Sequence, residues 1–265
     1  MSGESPRRVV VCVDDFGLTP AASAAAIDLA WRARVSAVSS IVDGPHVDKV
    51  AGLLRQSRGE CAIGLHLNLT ERSACRDSAK LTSWMWRSLL ARRWYSRVTA
   101  EIHRQLDRFE ALYGTRPAFV DGHEHVHQLR AVRRPLLDVL ASRFGAEVAV
   151  RSTVPCHNRG LKAAVISGIG GRALRDSSRA LKLESNRDFA GVYDFSARIP
   201  FEQRMRGWLT SIEDRGLIMC HPERPPHRSQ GGDVRSLEFE FLSSDRWPAL
   251  QRELDIRLSP FLAGE

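Results

Sequence analysis

Val9-Val10-Val11-Cys12-Val13-Asp14-Asp15-Phe16-Gly17 is the stretch on which the reading of this chain turns. A run of β-branched apolar residues reads as a buried strand, and this one ends in two adjacent carboxylates and a glycine. Like charges side by side at the rim of a core repel each other. Each is costly to desolvate unless a cation or a reacting proton compensates it. The plainer alternative is capping, because an Asp at a strand–helix junction satisfies orphan N–H groups without any chemistry. What the other strand ends carry decides between the two.

Immediately downstream, Thr19-Pro20 offers a hydroxyl cap and a proline at the first helical position, opening a helix over residues 21–34. Residues 37–42 read as a second strand and 46–57 as a second helix. The third strand, 61–70, alternates: Leu65, Leu67 and Leu69 share one face, while His66, Asn68 and Thr70 share the other. Residues 98–113 form a helix by the spacing of Val98, Ile102, Leu106, Phe109 and Leu112, and Gly114 stops it. The fourth strand, 118–127, puts Asp121, His123, His125 and His127 on one side if it stays extended. A helix over 133–144 and a strand over 147–151 follow. Further on come a helix over 201–215, a strand over 217–220 that runs into His221-Pro222-Glu223, a short strand over 235–241 and a closing helix over 247–258.

Two regions read two ways. Residues 71–97 hold Trp84, Trp86, Trp94 and Tyr95 among Arg87, Arg92, Arg93 and Arg97, with no acid from Leu81 to Arg97. This is either a lid offering aromatic faces to sugar rings and arginines to an anionic group or membrane surface, or a helical hairpin whose tryptophans pack inward. Residues 161–174, apolar and rich in glycine, read as an ordinary buried helix or as one lying near a lipid.

About seven strand–helix units succeed one another without a linker, which predicts one domain over residues 1–265. Such alternation makes a parallel sheet, and the length suits an α/β barrel, closed or nearly so. Its functional groups belong at the carboxyl ends of the strands, where Asp14, Asp15, His66, His123 and His221 all fall. A charged fraction of 26% beside 43% hydrophobic residues excludes a disordered or fibrous chain. No apolar run is long enough to cross a bilayer, and residues 1–8 are polar, so a cytoplasmic location is expected. Five scattered cysteines, none in a C-x-x-C pair, argue against a disulfide framework and against a thiolate zinc site. The net charge of +8 comes mainly from dispersed arginine with no nucleic-acid recognition motif, so no nucleic-acid partner is expected.

Asp15, His66 and His123, from three strand ends, make a two-histidine, one-carboxylate set able to hold one divalent ion with positions left open. Asp14 is then the candidate general base and His221 the candidate general acid. Arg151 is placed to orient Asp14 or to bind substrate. Asp121, Asn68, His125, His127, Trp84 and Trp86 are candidates for supporting or substrate contacts, and His125 or His127 remains open as a ligand in place of His123. A glycoside hydrolase needs carboxylates flanking the bond from opposite sides, which adjacent Asp14 and Asp15 do poorly. It stays an alternative, with a metal-dependent phosphoesterase and a non-enzymatic sugar-binding barrel.

Asp14-Asp15-Phe16-Gly17, Gly64-Leu65-His66-Leu67-Asn68-Leu69-Thr70, Asp121-Gly122-His123-Glu124-His125-Val126-His127 and Met219-Cys220-His221-Pro222 resemble, in order and spacing, the YdjC-like (ChbG/HpnK) carbohydrate deacetylases. The resemblance implies an irregular (β/α) barrel of the deacetylase and glycoside hydrolase type. It also implies removal of an acetyl group from an N-acetylated amino sugar, oligosaccharide or glycolipid such as a glycosylated hopanoid. It further implies metal ligation by Asp15, His66 and His123 with magnesium as the ion, whereas imidazole ligands favour zinc or a later transition metal. Peripheral membrane contact and a homodimer stay open. Val13 departs from the small residue that many members carry before the acid pair, and the 81–97 and 152–187 segments match no pattern.

Overall fold

In the computed structural model, which describes residues 5–57, 61–71, 79–225 and 234–261, the valine run is the hub strand of a wholly parallel sheet. This strand, β1 (Arg7–Phe16), is followed by β2 (Ala37–Ser40), β3 (Ala62–Leu67), β4 (Phe119–Gly122), β5 (Ala149–Val150), β6 (Phe189–Ala190), β7 (Gly216–Cys220) and β8 (Ile256–Leu258). Seven of them lie in the order β5-β4-β3-β2-β1-β7-β6, and β8 pairs with the start of β1 on the side that β2 takes further along. The expectation of an irregular barrel of about seven parallel strands therefore holds.

Alternation along each strand sorts side chains into two layers. Val9, Val11, Val13, Val38, Leu65, Leu67, Val120 and Ile218 face outward and pack under the helices. The principal covering helices are α1 (Pro20–Trp31), α2 (Val47–Arg55), α3 (Leu81–Arg87), α4 (Ala91–Tyr113), α5 (Arg130–Phe144), α6 (Leu161–Ile166), α7 (Arg172–Ala180), α8 (Phe201–Ser211), α9 (Val234–Ser243) and α10 (Arg246–Glu253). Val10, Cys12, Ala37, Phe119, Ala149, Phe189, Leu217 and Met219 fill the interior, where Phe261 stacks on Phe119 at 4.7 Å. Gly64 makes room for that ring, since a Cβ there would meet Phe119 at 2.4 Å. One step further along the strands the interior turns polar, with Asp14, Ser39, His66, Asp121 and Arg151 all buried.

No ladder among the described residues joins β5 to β6, so the barrel has a seam there. Asn186 bridges it. Its Oδ1 accepts from the Ser152 amide (2.8 Å), and its Nδ2 donates to the Ser152 and Asp188 carbonyls (2.9 and 2.8 Å).

Several sequence expectations are corrected. Residues 123–127 are not strand: β4 stops at Gly122 and the chain turns tightly, with Glu124 and His125 in left-handed backbone (φ 51° and 58°). Residues 235–241 belong to helix α9, not to a strand. Residues 247–258 divide into α10 and strand β8. Residues 161–174 are not one helix, because a wide turn at Ser167–Gly171 separates α6 from α7. Cys75 and the rest of 72–78 lie outside the described residues, and the four described cysteines are free thiols. Among the described residues no helix is long and apolar enough to cross a membrane.

Asn186→Leu keeps the volume but strands buried amide and carbonyl groups at the seam. It is expected to cost about 2 kcal/mol of stability, measured by chemical denaturation.

Candidate active site

In a regular strand, adjacent Asp14 and Asp15 would point to opposite faces. The register between β1 and β2 slips between Val13 and Phe16, and Asp15 takes a left-handed backbone (φ 64°). This bulge breaks the alternation and brings both acids to one site. Neither caps the following helix; Thr19 does so, its Oγ1 accepting from the Ala22 amide at 3.0 Å. The capping alternative therefore falls.

Asp14 is gripped by Arg151. Nη1 donates to Oδ2 and Nη2 to Oδ1, both at 2.6 Å, while Nη2 also lies 2.5 Å from Asp121 Oδ2. Asp121 Oδ1 accepts from Ser39 Oγ (2.5 Å) and from His66 Nδ1 (2.6 Å). Burial works against the Asp121 charge, but Arg151 and His66 outweigh it and hold the carboxyl well below its usual range. For His66, burial favours the neutral ring, and the Asp121 carboxylate overrides it, raising the pKa to about 10.

With Nδ1 committed to Asp121, His66 presents Nε2 to Asp15 Oδ1 at 3.5 Å. His123 Nδ1 meets the same oxygen at 2.9 Å. Burial opposes ionisation of Asp15, and the hydrogen bonds from His123 and His66 hold its carboxyl well below the ordinary value all the same. These three ligand atoms lie within 4.8 Å of one another, a donor set that fits one divalent ion. The Asp121–His66 bond strengthens the fit, since a carboxylate on the far nitrogen fixes the tautomer a metal needs. Cys12, Asp14 and Asp121 also converge, but there the Arg151 guanidinium is itself the cation, its Nη2 being 2.9 Å from Cys12 Sγ.

His221 stands across from Asp14, Nε2 to Oδ2 at 3.9 Å, with Phe195 edge-on to its ring. Burial lowers its pKa. Its position is fixed from a helix the sequence did not reveal: Glu238 of α9 accepts the His221 amide at 2.6 Å and the Tyr193 hydroxyl. One turn earlier, Arg235 approaches Asp15 Oδ2 at 3.7 Å and pairs with Glu223 at 2.8 Å. Arg235 and Glu238 carried no signal, because residues 235–241 read as a short strand, on which positions three apart point to opposite faces.

The remaining candidates separate. His127 donates from Nε2 to the Arg151 carbonyl (3.1 Å), and His125 packs edge-on against Phe189. Of the three loop histidines, only His123 joins the converging ligand atoms. Asn68 builds the turn after β3, accepting from the Thr70 and Glu71 amides. Trp84 is buried, donates to the Leu69 carbonyl (2.9 Å) and packs on Trp94, as a hairpin packing inward requires. Trp86 does the opposite and is 73% exposed.

The YdjC-like protein family matches over residues 8–253. A chitooligosaccharide deacetylase of Serratia marcescens is 31% identical over 145 residues, taking in 52% of this chain and 56% of that protein. A carbohydrate deacetylase of Mus musculus is 30% identical over 247 residues, 87% of this chain and 72% of that protein. Among solved structures, a proposed cellobiose-phosphate cleavage protein of Enterococcus faecalis V583 superposes with a TM-score of 0.68. It is 20% identical and covers 97% of this chain and 98% of that one, a likeness of fold.

Burial raises the Glu238 pKa to about 7 from its ordinary 4.5. Between those values the unfolded chain holds fewer protons than the folded one, so stability falls as pH rises through the window. The whole effect is on the order of 3 kcal/mol. Thermal denaturation against pH is expected to show this descending slope, and Glu238→Gln to flatten it.

Proposed function

This chain belongs to the YdjC-like protein family, and we propose that it is a metal-dependent carbohydrate deacetylase, hydrolysing the amide C–N bond of an N-acetylated amino sugar. The observation that carries the reading is the convergence of Asp15, His66 and His123 beside the facing pair Asp14 and His221. Asp15, His66 and His123 are the residues that would hold the ion. Two imidazoles with one carboxylate favour zinc or another late transition metal over magnesium. When bound, it supplies Lewis-acid polarisation of the acetamide carbonyl and charge stabilisation on its oxygen.

The chain's own groups supply the proton traffic. Asp14 Oδ2 accepts a proton from the attacking water, and Arg151 keeps that carboxylate oriented while doing so. His221 Nε2 gives a proton to the departing amine. Its lowered pKa makes the imidazolium the stronger acid for that step. Asp121 holds His66 in the tautomer that leaves Nε2 free for the ion. The chain works as one catalytic domain in the cytoplasm, on a chito-oligosaccharide-like sugar or the same sugar on a lipid such as a glycosylated hopanoid. The names of the relatives support the sugar class.

Acetate release from N-acetylglucosamine oligomers, read beside metal content, tests these roles. Asp14→Asn is expected to keep its metal and lose at least about 100-fold in rate, in the range typical of a missing general base. His66→Ala and His123→Ala are expected to lose metal and activity together. Full activity in all three variants would end the assignment.

A further inference from the structure

Large apolar side chains exposed on this protein are not scattered. Of the twelve among the described residues, seven lie in two segments: Met85, Trp86, Leu89 and Leu90 in one, and Leu161, Val165 and Ile169 in the other. Leu89 and Leu90 are 69% and 63% exposed, and Leu161 is 82% exposed. Isolated exposed leucines are ordinary, whereas a gathered set marks a surface that meets something apolar.

The two segments come together through the start of α5. Ser88 Oγ accepts from the Ala131 amide (3.3 Å), and Gln128, just before α5, donates to the Ile166 carbonyl (2.8 Å). Next to the first segment, where the start of α4 meets α5, runs a groove of about 510 Å³ lined by Arg92, Tyr95, Arg130, Arg133 and Arg134. One acid reaches its edge, Asp138, where it engages the Tyr95 hydroxyl (2.7 Å) and Arg134 (3.6 Å). The groove's own lining is one-sided, with four arginines, Arg92, Arg130, Arg133 and Arg134, and no acid.

We propose that this face is a docking surface for an anionic phospholipid bilayer, with residues 85–90 and 161–169 entering the interface and the arginine groove taking lipid phosphates. Apolar side chains flanking a cationic strip are what such a surface selects, hydrophobic insertion and charge acting together. Nucleic acid would use the arginines and leave the leucines in water. A second copy across a two-fold axis would oppose one arginine groove to another. The turn that carries His123 lies between the two apolar segments, so docking sets the mouth of the site at the level of the lipid headgroups. This rests on the deacetylase reading, since it is the mouth of that site which docking brings to the membrane surface.

Co-sedimentation of the full chain with phosphatidylcholine vesicles, with and without phosphatidylglycerol, tests the proposal. Binding is expected only or mainly to the anionic vesicles. It should fall roughly tenfold or more in Arg92→Glu/Arg134→Glu and in Leu89→Asp/Leu90→Asp. Both variants should melt at the wild-type temperature and keep acetate release from a soluble N-acetylglucosamine oligomer. No pelleting above control, pelleting unchanged in both variants, or a wild-type dimer that the leucine changes dissociate would each overturn it. Pelleting needs no turnover, so a chain that binds vesicles but hydrolyses no acetamide would sink the deacetylase reading alone. A chain that is active and never pellets would sink only the docking surface.

Discussion

A guanidinium with no contact with water, that of Arg151, holds the interior of this barrel together. Asp14 and Asp121 enter from strands on either side of it, and two buried carboxylates without a cation would not both stay ionised. Arg151 reconciles them, and everything nearer the mouth depends on that settlement. Asp121, kept charged, aligns His66; Asp14, held at both oxygens, turns one of them toward His221. The candidate base and the candidate ligands therefore form one electrostatic unit. Three charges out of water are a heavy desolvation load, and breaking such a set by deleting one member is far worse than never having built it.

Much of this was legible in the sequence, because it followed from period and position. The valine run, the alternating 61–70 stretch and the strand ending at Cys220 gave the parallel barrel and located Asp14, Asp15, His66 and His221 at its carboxyl ends. What escaped were features set by backbone conformations that alternation does not encode. The bulge at Asp15 and the left-handed pair Glu124–His125 both break the two-residue period. The first gathers two acids that a regular strand would part; the second sends three histidines of one predicted face to three different surroundings. Helix α9 was missed because its apolar positions, Leu237, Phe239 and Phe241, also alternate, and so mimic a strand.

That helix shows how a site recruits support from outside its strand ends. Its Arg235 approaches a candidate ligand and its Glu238 a candidate acid, so one rigid element spans both halves of the chemistry. The inner strands set where the reacting groups stand, and α9 keeps the loop after β7 from drifting away from them.

The left-handed backbone at Asp15 also bears on how freely this site can change. A φ of 64° suits Gly, Asn, Asp and His and is strained for β-branched side chains. The position that supplies the carboxylate is therefore filtered by the main chain before any metal is considered. His123, whose own backbone is not left-handed, escapes that filter. Replacing Asp15 with Asn or His leaves the bulge as it is, the protein itself carrying His125 at φ 58°, whereas Val or Ile there means rebuilding it.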